Sequence, residues 1–343
     1  MKLRHTIFFW ALVVAMGFVW SIGPPGVVSA LGAVQSPLVL VDKQHVDIEV
    51  PIIGGVWTPK VKAWYDGDLP AERSLLILNS NTQTVRSSWD SWIGAEDGQI
   101  AWVIDQLSAP NELWLGMAAR GCDSLGSWLP DDSRISTAWQ YIQVDMLEVR
   151  GYDGDDDPTN NPAAPGYVSL WDTDSWGTKT PWFSTAETLA DGNRTYMIPG
   201  GHSHFYWAFT AEGIYEMDIQ PRTYLGPGKT NLSVGPVITL YFGVERPFPG
   251  DANLDDQVNA DDAAILATHW GTSGTDISWL EGDFNNDHLV NAIDASILAA
   301  NWGCSGSETT AIPEPGTAGL FLTGIVVGLT ALRKRDCLRP SNQ

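Results

Sequence analysis

Between Asp251 and Gly303 one short unit is written twice, 32 residues apart. Asp251, Asn253, Asp255, Asn259 and Asp262 recur as Asp283, Asn285, Asp287, Asn291 and Asp294, and each set leads through a short apolar segment to Trp-Gly. The register D-x-N-x-D-x-x-V-N-x-x-D places oxygen-bearing side chains at positions 1, 3, 5, 9 and 12 of a twelve-residue loop. That is how a hard cation of calcium's size collects its six to eight oxygens. Positions 1 and 12 supply carboxylates, 3 and 5 fill the equator, and position 7 gives a backbone carbonyl, here Gln257 or Leu289. Position 9, Asn259 or Asn291, acts through water. Two calcium ions are therefore expected. Val258 and Val290, at position 8, turn away from the ions and are expected to pair between the two loops. Beyond each loop, Ile265/Leu266 and Ile297/Leu298 form a helix face, with Gly271 and Gly303 as stops.

No amphipathic helix precedes either loop, so the repeats are loop-helix units rather than complete EF-hands. In this they resemble a type I dockerin, over residues 251–303. The resemblance implies a small helical, calcium-dependent domain that binds a partner such as a cohesin-like surface protein. One departure is the residue at position 6, ordinarily Gly for its sharp turn but here Asp256 and His288. Left-handed backbone costs such residues on the order of 1–2 kcal/mol, which weakens binding without abolishing it.

The chain has 343 residues and a formal net charge of −22, which makes nucleic acid and anionic membrane surfaces poor partners. Lys2 and Arg4 precede an apolar run and the small-residue site Val28-Ser29-Ala30, the pattern of a secretory signal peptide over residues 1–30, with a retained anchor as the alternative. Three cysteines exclude a disulfide framework. From residue 38 to 244, short β-like runs at 45–50, 74–78, 100–104, 112–117, 141–149, 167–171, 204–209, 214–219 and 237–244 are divided by Gly, Pro, Asn and Asp clusters. No helical pattern intervenes, so the fold class is mainly β: an antiparallel β-sandwich over residues 31–245, followed by the small helical unit. Most of the 17 tryptophans lie in the sandwich, where core packing competes with a sugar-stacking surface as their role. The acidic stretch 152–165 reads as a solvated surface loop, and residues 245–250 as a short linker.

Two places in the sandwich carry histidine: His45-Val46-Asp47-Ile48, and Gly201-His202-Ser203-His204 running into Trp207-Ala208-Phe209-Thr210. Residues i and i+2 share a face of a strand, so His202 and His204 could chelate one transition-metal ion, such as Zn²⁺, with His45 or Asp47 from a neighbouring strand. The alternative is a set of polar side chains hydrogen-bonded in a strand pair. These motifs resemble the surface-anchored domain called choice-of-anchor M, over roughly residues 38–222. That resemblance implies a location on the cell surface and no established activity.

The C-terminal end carries Pro313-Glu314-Pro315, an apolar stretch at 316–332 just long enough to cross a bilayer, and the basic cluster Arg333-Lys334-Arg335. Together residues 312–335 resemble a PEP-CTERM sorting signal. The resemblance implies an exosortase-type processing enzyme as partner and a transient stay in the inner membrane before release to the surface or matrix.

A non-catalytic, calcium-binding cell-surface or extracellular-matrix protein follows, and no nucleophile with its base is visible. The other reading is a dockerin-borne component of polysaccharide degradation, either a glycoside hydrolase or a carbohydrate-binding module. Against it stand loop positions 10 and 11, Ala260-Asp261 and Ala292-Ile293, which lack the hydroxyl residues that cellulosomal dockerins resemble one another in carrying.

Overall fold

The structure, a computed structural model, describes residues 38–107, 112–122, 132–136, 140–152, 154, 162–225 and 231–306. The expected signal peptide, the Pro313-Glu314-Pro315 motif and the apolar segment 316–332 lie outside the described residues. Among the described residues no helix is long and apolar enough to cross a membrane.

Mainly β architecture is what the chain adopts, in three larger sheets and one small hairpin. The central sheet has seven strands. Six lie in the order Val39–Val41, Ser74–Leu78, Ile238–Val244, Gly213–Leu225, Ile142–Gly151 and Arg194–Met197, and Asn231–Val234 also pairs with Gly213–Leu225. A second sheet runs His202–His204, Trp114–Ala118, His45–Glu49, Lys60–Ala63, Gly67–Leu69. The third runs Lys179–Ser184, Val168–Thr173, Tyr206–Phe209, Ile100–Ile104, Gln83–Val85. The main core joins all three: Leu76, Leu78, Met217 and Phe242 of the central sheet meet Val46, Ile48, Leu115 and Met117 of the second and Ile104, Leu170, Trp207 and Phe209 of the third. The sandwich thus has one continuous layer facing a layer split in two.

Two details of the strand pairing depart from the sequence reading. Pairing is antiparallel in most of the ladders, but Val39–Val41 with Ser74–Leu78, Ser74–Leu78 with Ile238–Val244, and His45–Glu49 with Trp114–Ala118 run parallel. A run of β-formers specifies a strand and its buried face but not the direction of its neighbour. The expected strand 204–209 is in fact two, His202–His204 and Tyr206–Phe209, which belong to different sheets. Phe205, buried at the break, carries the chain from one half-layer to the other.

The central sheet is covered on its other face as well. Leu75, Ile77, Ile214 and Tyr241 share a second core with Phe248, Ala252, Leu254, Val258, Leu266, Trp279, Phe284, Val290 and Leu298 from the C-terminal helical unit. For that reason Ser74–Leu78 and Ile238–Val244 are buried at every position rather than at alternate ones. Residues 245–250 are accordingly no exposed tether: Glu245, Arg246 and Phe248 are buried. Glu245 accepts hydrogen bonds from Trp102 Nε1 (3.0 Å) and Gln83 Nε2 (2.9 Å). The Arg246 guanidinium stacks over Phe248, bonds Glu212 at 3.0 Å and pairs with Asp256.

The helical unit contains α1 (Ala260–Thr268) and α2 (Ala292–Ala300). Asn259 and Asn291 cap them, each accepting a 2.7 Å bond from the N–H two residues on, and Asp262 and Asp294 complete capping boxes. Val258 and Val290 are both buried in the second core, and their backbones bond to the tails of the repeats rather than to each other. The Val258 N–H donates to Cys304 and its carbonyl accepts from Gly303, whereas Val290 is bonded to Gly271 and Thr272. Each loop is clipped by the tail of the other repeat. With no entering helix in front, the outer edge of each loop is open to that exchange.

Candidate functional sites: two acidic loops and a histidine cluster

The two acidic loops are near copies in detail. Asp251 accepts from the N–H groups of Asp255 (3.2 Å) and Asp256 (3.1 Å), as Asp283 does from Asp287 (3.2 Å) and His288 (2.8 Å). Asp262 reaches back to Ala252 and Asn259, as Asp294 does to Phe284 and Asn291, all at 2.7–2.9 Å. Asn253 donates to Asp255 at 3.0 Å, and Asn285 to Asp287 at 2.9 Å. The first and twelfth carboxylates of each loop, Asp251, Asp262, Asp283 and Asp294, are all but fully buried. Burial, followed by the neighbouring carboxylates, pushes the Asp251 carboxyl well above its usual range, and burial also raises Asp262 and Asp283. Such a concentration of buried acid is compensated by a cation of matching charge. The position-9 side chains, Asn259 and Asn291, are engaged as helix caps, which fits a contact made only through water. At position 6, Asp256 (φ 65°) and His288 (φ 62°) hold the left-handed backbone that the turn demands.

The surroundings of the loops differ. Asp256 faces Arg246, and a Cβ on Gly154 would lie 2.5 Å from the Asn253 carbonyl, so the end of the acidic stretch that was read as a solvated loop presses on the first loop. In the second loop Asn285, Asp287, His288 and Leu289 are exposed.

The sandwich carries the other cluster. His45, Asp47, His202 and His204 present ligand atoms that all lie within 4.8 Å of one another. The sequence offered His45 or Asp47 as the third member; the fold brings in both. Asp47 Oδ1 is 2.7 Å from His202 Nε2 and 3.3 Å from His45 Nε2, and the two Nε2 atoms are 3.3 Å apart. The four come from the outer two of three adjacent strands. In the strand between them, Gly116 is in register with Asp47 on one side and His204 on the other, and Ala118 with Glu49 and His202. Trp114 closes one end, stacked on His204 at 3.8 Å, and the exposed Trp64 stacks beyond His45. Burial first, then His202 and His45, lowers the His204 pKa to about 4, so its imidazole is neutral at physiological pH. Arg120 approaches the other Asp47 oxygen at 3.4 Å. Gly116, Trp114 and Arg120 had no signal in the sequence, because their relevance comes only from strand pairing across some 70 residues.

Among the described tryptophans of the sandwich, Trp89, Trp92, Trp102, Trp171, Trp182 and Trp207 are buried, against exposed Trp64 and Trp176.

Residues 249–301 match the family model of the Dockerin type I domain, which assigns calcium binding and protein interaction to this segment. No curated protein matches the chain.

Proposed function

We propose that the protein is an exported, non-catalytic surface component in which a calcium-bound dockerin, seated on a β-sandwich, presents its helices to a cohesin-like or other surface protein. The observation that carries this reading is the seating itself. The second core is spent on the sandwich side, while Asp261, Ala264, Ala267 and Thr268 of α1 and Ile293, Ser296, Ala299 and Ala300 of α2 remain exposed. A partner that grips the helices therefore meets no competition from the rest of the described residues. Delivery to the surface follows from the sequence pattern at each end: a secretory signal, then Pro313-Glu314-Pro315 read by an exosortase-type enzyme, with residues 316–332 in the inner membrane until processing. A third ion, zinc in the first place, belongs to the same reading at His45, His202 and His204, where the side chains converge.

Titration of calcium into the chelator-treated protein, with binding to immobilised surface proteins followed in parallel, tests the proposal. Two calcium ions should bind, and partner capture should require them. Capture that is indifferent to calcium would overturn the dockerin-mediated reading, and hydrolysis of a polysaccharide by the purified protein would replace it with the enzyme-component one.

A further inference from the structure

Resting on the zinc reading above, we infer that the cluster is a complete four-ligand centre for a late first-row divalent ion. Its ligands are His45, Asp47, His202 and His204, and it staples the edge strand His202–His204 to the sheet rather than holding a position open for substrate.

Four observations support it. Zinc bound tetrahedrally at about 2.0–2.1 Å separates its ligand atoms by roughly 3.3–3.4 Å. Of the six separations among the four ligand atoms, two are 3.3 Å, one is 2.7 Å, and those to His204 lie within 4.8 Å, all within side-chain adjustment of that value. Asp47 Oδ1 and both His204 ring nitrogens are buried with no hydrogen-bond partner of acceptable geometry. Buried polar atoms left in this state around one point are what an ion would satisfy. Arg120 lies 3.4 Å from Oδ2 of Asp47, on the far oxygen, and so leaves Oδ1 for the ion and orients the carboxylate from outside. Finally, the middle strand makes room. A Cβ on Gly116 would stand 2.7 Å from Asp47 Oδ1 and 3.0 Å from His204 Cε1, although nothing in its backbone requires glycine. With Ala118 as the next residue on that face, the strand forms a trough between the two ligand-bearing strands.

Donor chemistry fixes the class of ion. Three imidazoles and one carboxylate suit Zn²⁺ or Co²⁺ and not calcium, which takes an all-oxygen shell. Four protein ligands are the mark of a structural site, since a catalytic zinc keeps one position for water or substrate. An edge strand of three residues, held by one neighbour, has a plain use for such a staple.

The test is Co²⁺ substitution in the full protein with its calcium loops loaded. One Co²⁺ per chain should bind, with the intense visible absorption of a four-coordinate ion, and zinc should displace it. Asp47→Asn should lower affinity by more than the roughly 10–100-fold typical of losing an outer-shell partner. Gly116→Ala should lose the ion while its β-sheet circular dichroism is retained; should that variant fail to fold, Asp47→Asn decides alone. A bound ion with the weak spectrum of six-coordinate Co²⁺, or an Asp47→Asn protein that binds as tightly as the original, would overturn the four-ligand centre and leave the three-histidine zinc reading standing. Absence of any stoichiometric Co²⁺ or Zn²⁺ would overturn both.

Discussion

The first and second calcium loops have the same ligand pattern, the same capping boxes and the same pair of left-handed residues, yet they live in different places. Loop one is wedged between the helical unit and the sandwich, with Arg246 on its sixth residue and Gly154 against its third. Loop two faces solvent. The same acidic pattern therefore sits in two settings: loop two leads only into its own helix, whereas loop one also lies in the joint between the helical unit and the sandwich.

Removing calcium should have the largest effect. The helical circular dichroism should disappear, and the sandwich itself should melt at a lower temperature, because Leu75, Ile77, Ile214 and Tyr241 lose their cover. Each fully buried side chain of that size is worth roughly 1.5–3 kcal/mol. A sandwich transition that is unmoved in excess chelator by calorimetry would show that the joint carries no energy. Below that comes Arg246→Ala, which leaves Asp256 and Glu212 facing each other without their cation. The two carboxylates are a third exposed, so the loss should be about 2–3 kcal/mol, less than for a fully buried pair. Calcium affinity at loop two should not change, and a drop there would erase the distinction between the loops.

The sharpest discrimination uses the matched sixth positions. His288→Gly relieves a left-handed backbone at an exposed residue and should stabilise by about 0.5–1 kcal/mol. Asp256→Gly gives the same relief but discards the bond to Arg246, and should destabilise the protein in chemical denaturation. Equal signs for the two would mean that the setting of loop one is irrelevant. Smallest of all, Ile293→Ser on the outer face of α2 should shift stability by under about 0.5 kcal/mol, since that side chain is 53% exposed. Any effect should be on partner binding.

The loops were legible because every candidate ligand is local: one twelve-residue register holds the whole acidic pattern, and duplication repeats the message. The β class was legible from turn chemistry between short runs, but Lys60–Ala63 and Asn231–Val234 were not, their alternation being masked by lysine or by short length. Ser74–Leu78 and Ile238–Val244 did carry a clue to the docked helical unit, since a near-continuous apolar run implies a strand covered on both faces. His45 and His202 meet across 157 positions, and the pairing that joins them is parallel on one side and antiparallel on the other. No local pattern encodes that meeting; the i, i+2 spacing of His202 and His204 was the one fragment visible in advance.

The exchange of tails between the repeats bears on how the molecule carries force. The chain enters the helical unit at Gly250, beside Leu298 of α2, and at residues 303–306 it runs back along loop one, where the Gly306 N–H donates to Asp256. Entry and exit are thus side by side. Tension applied at residue 306 meets the Gly306–Asp256 bond first and then the Val258 bonds, peeling that short antiparallel ladder from one end before it reaches loop one, Arg246 and the sandwich. Both helices lie outside this path. A partner gripping them would hold a surface that stays in shape while the tether is pulled.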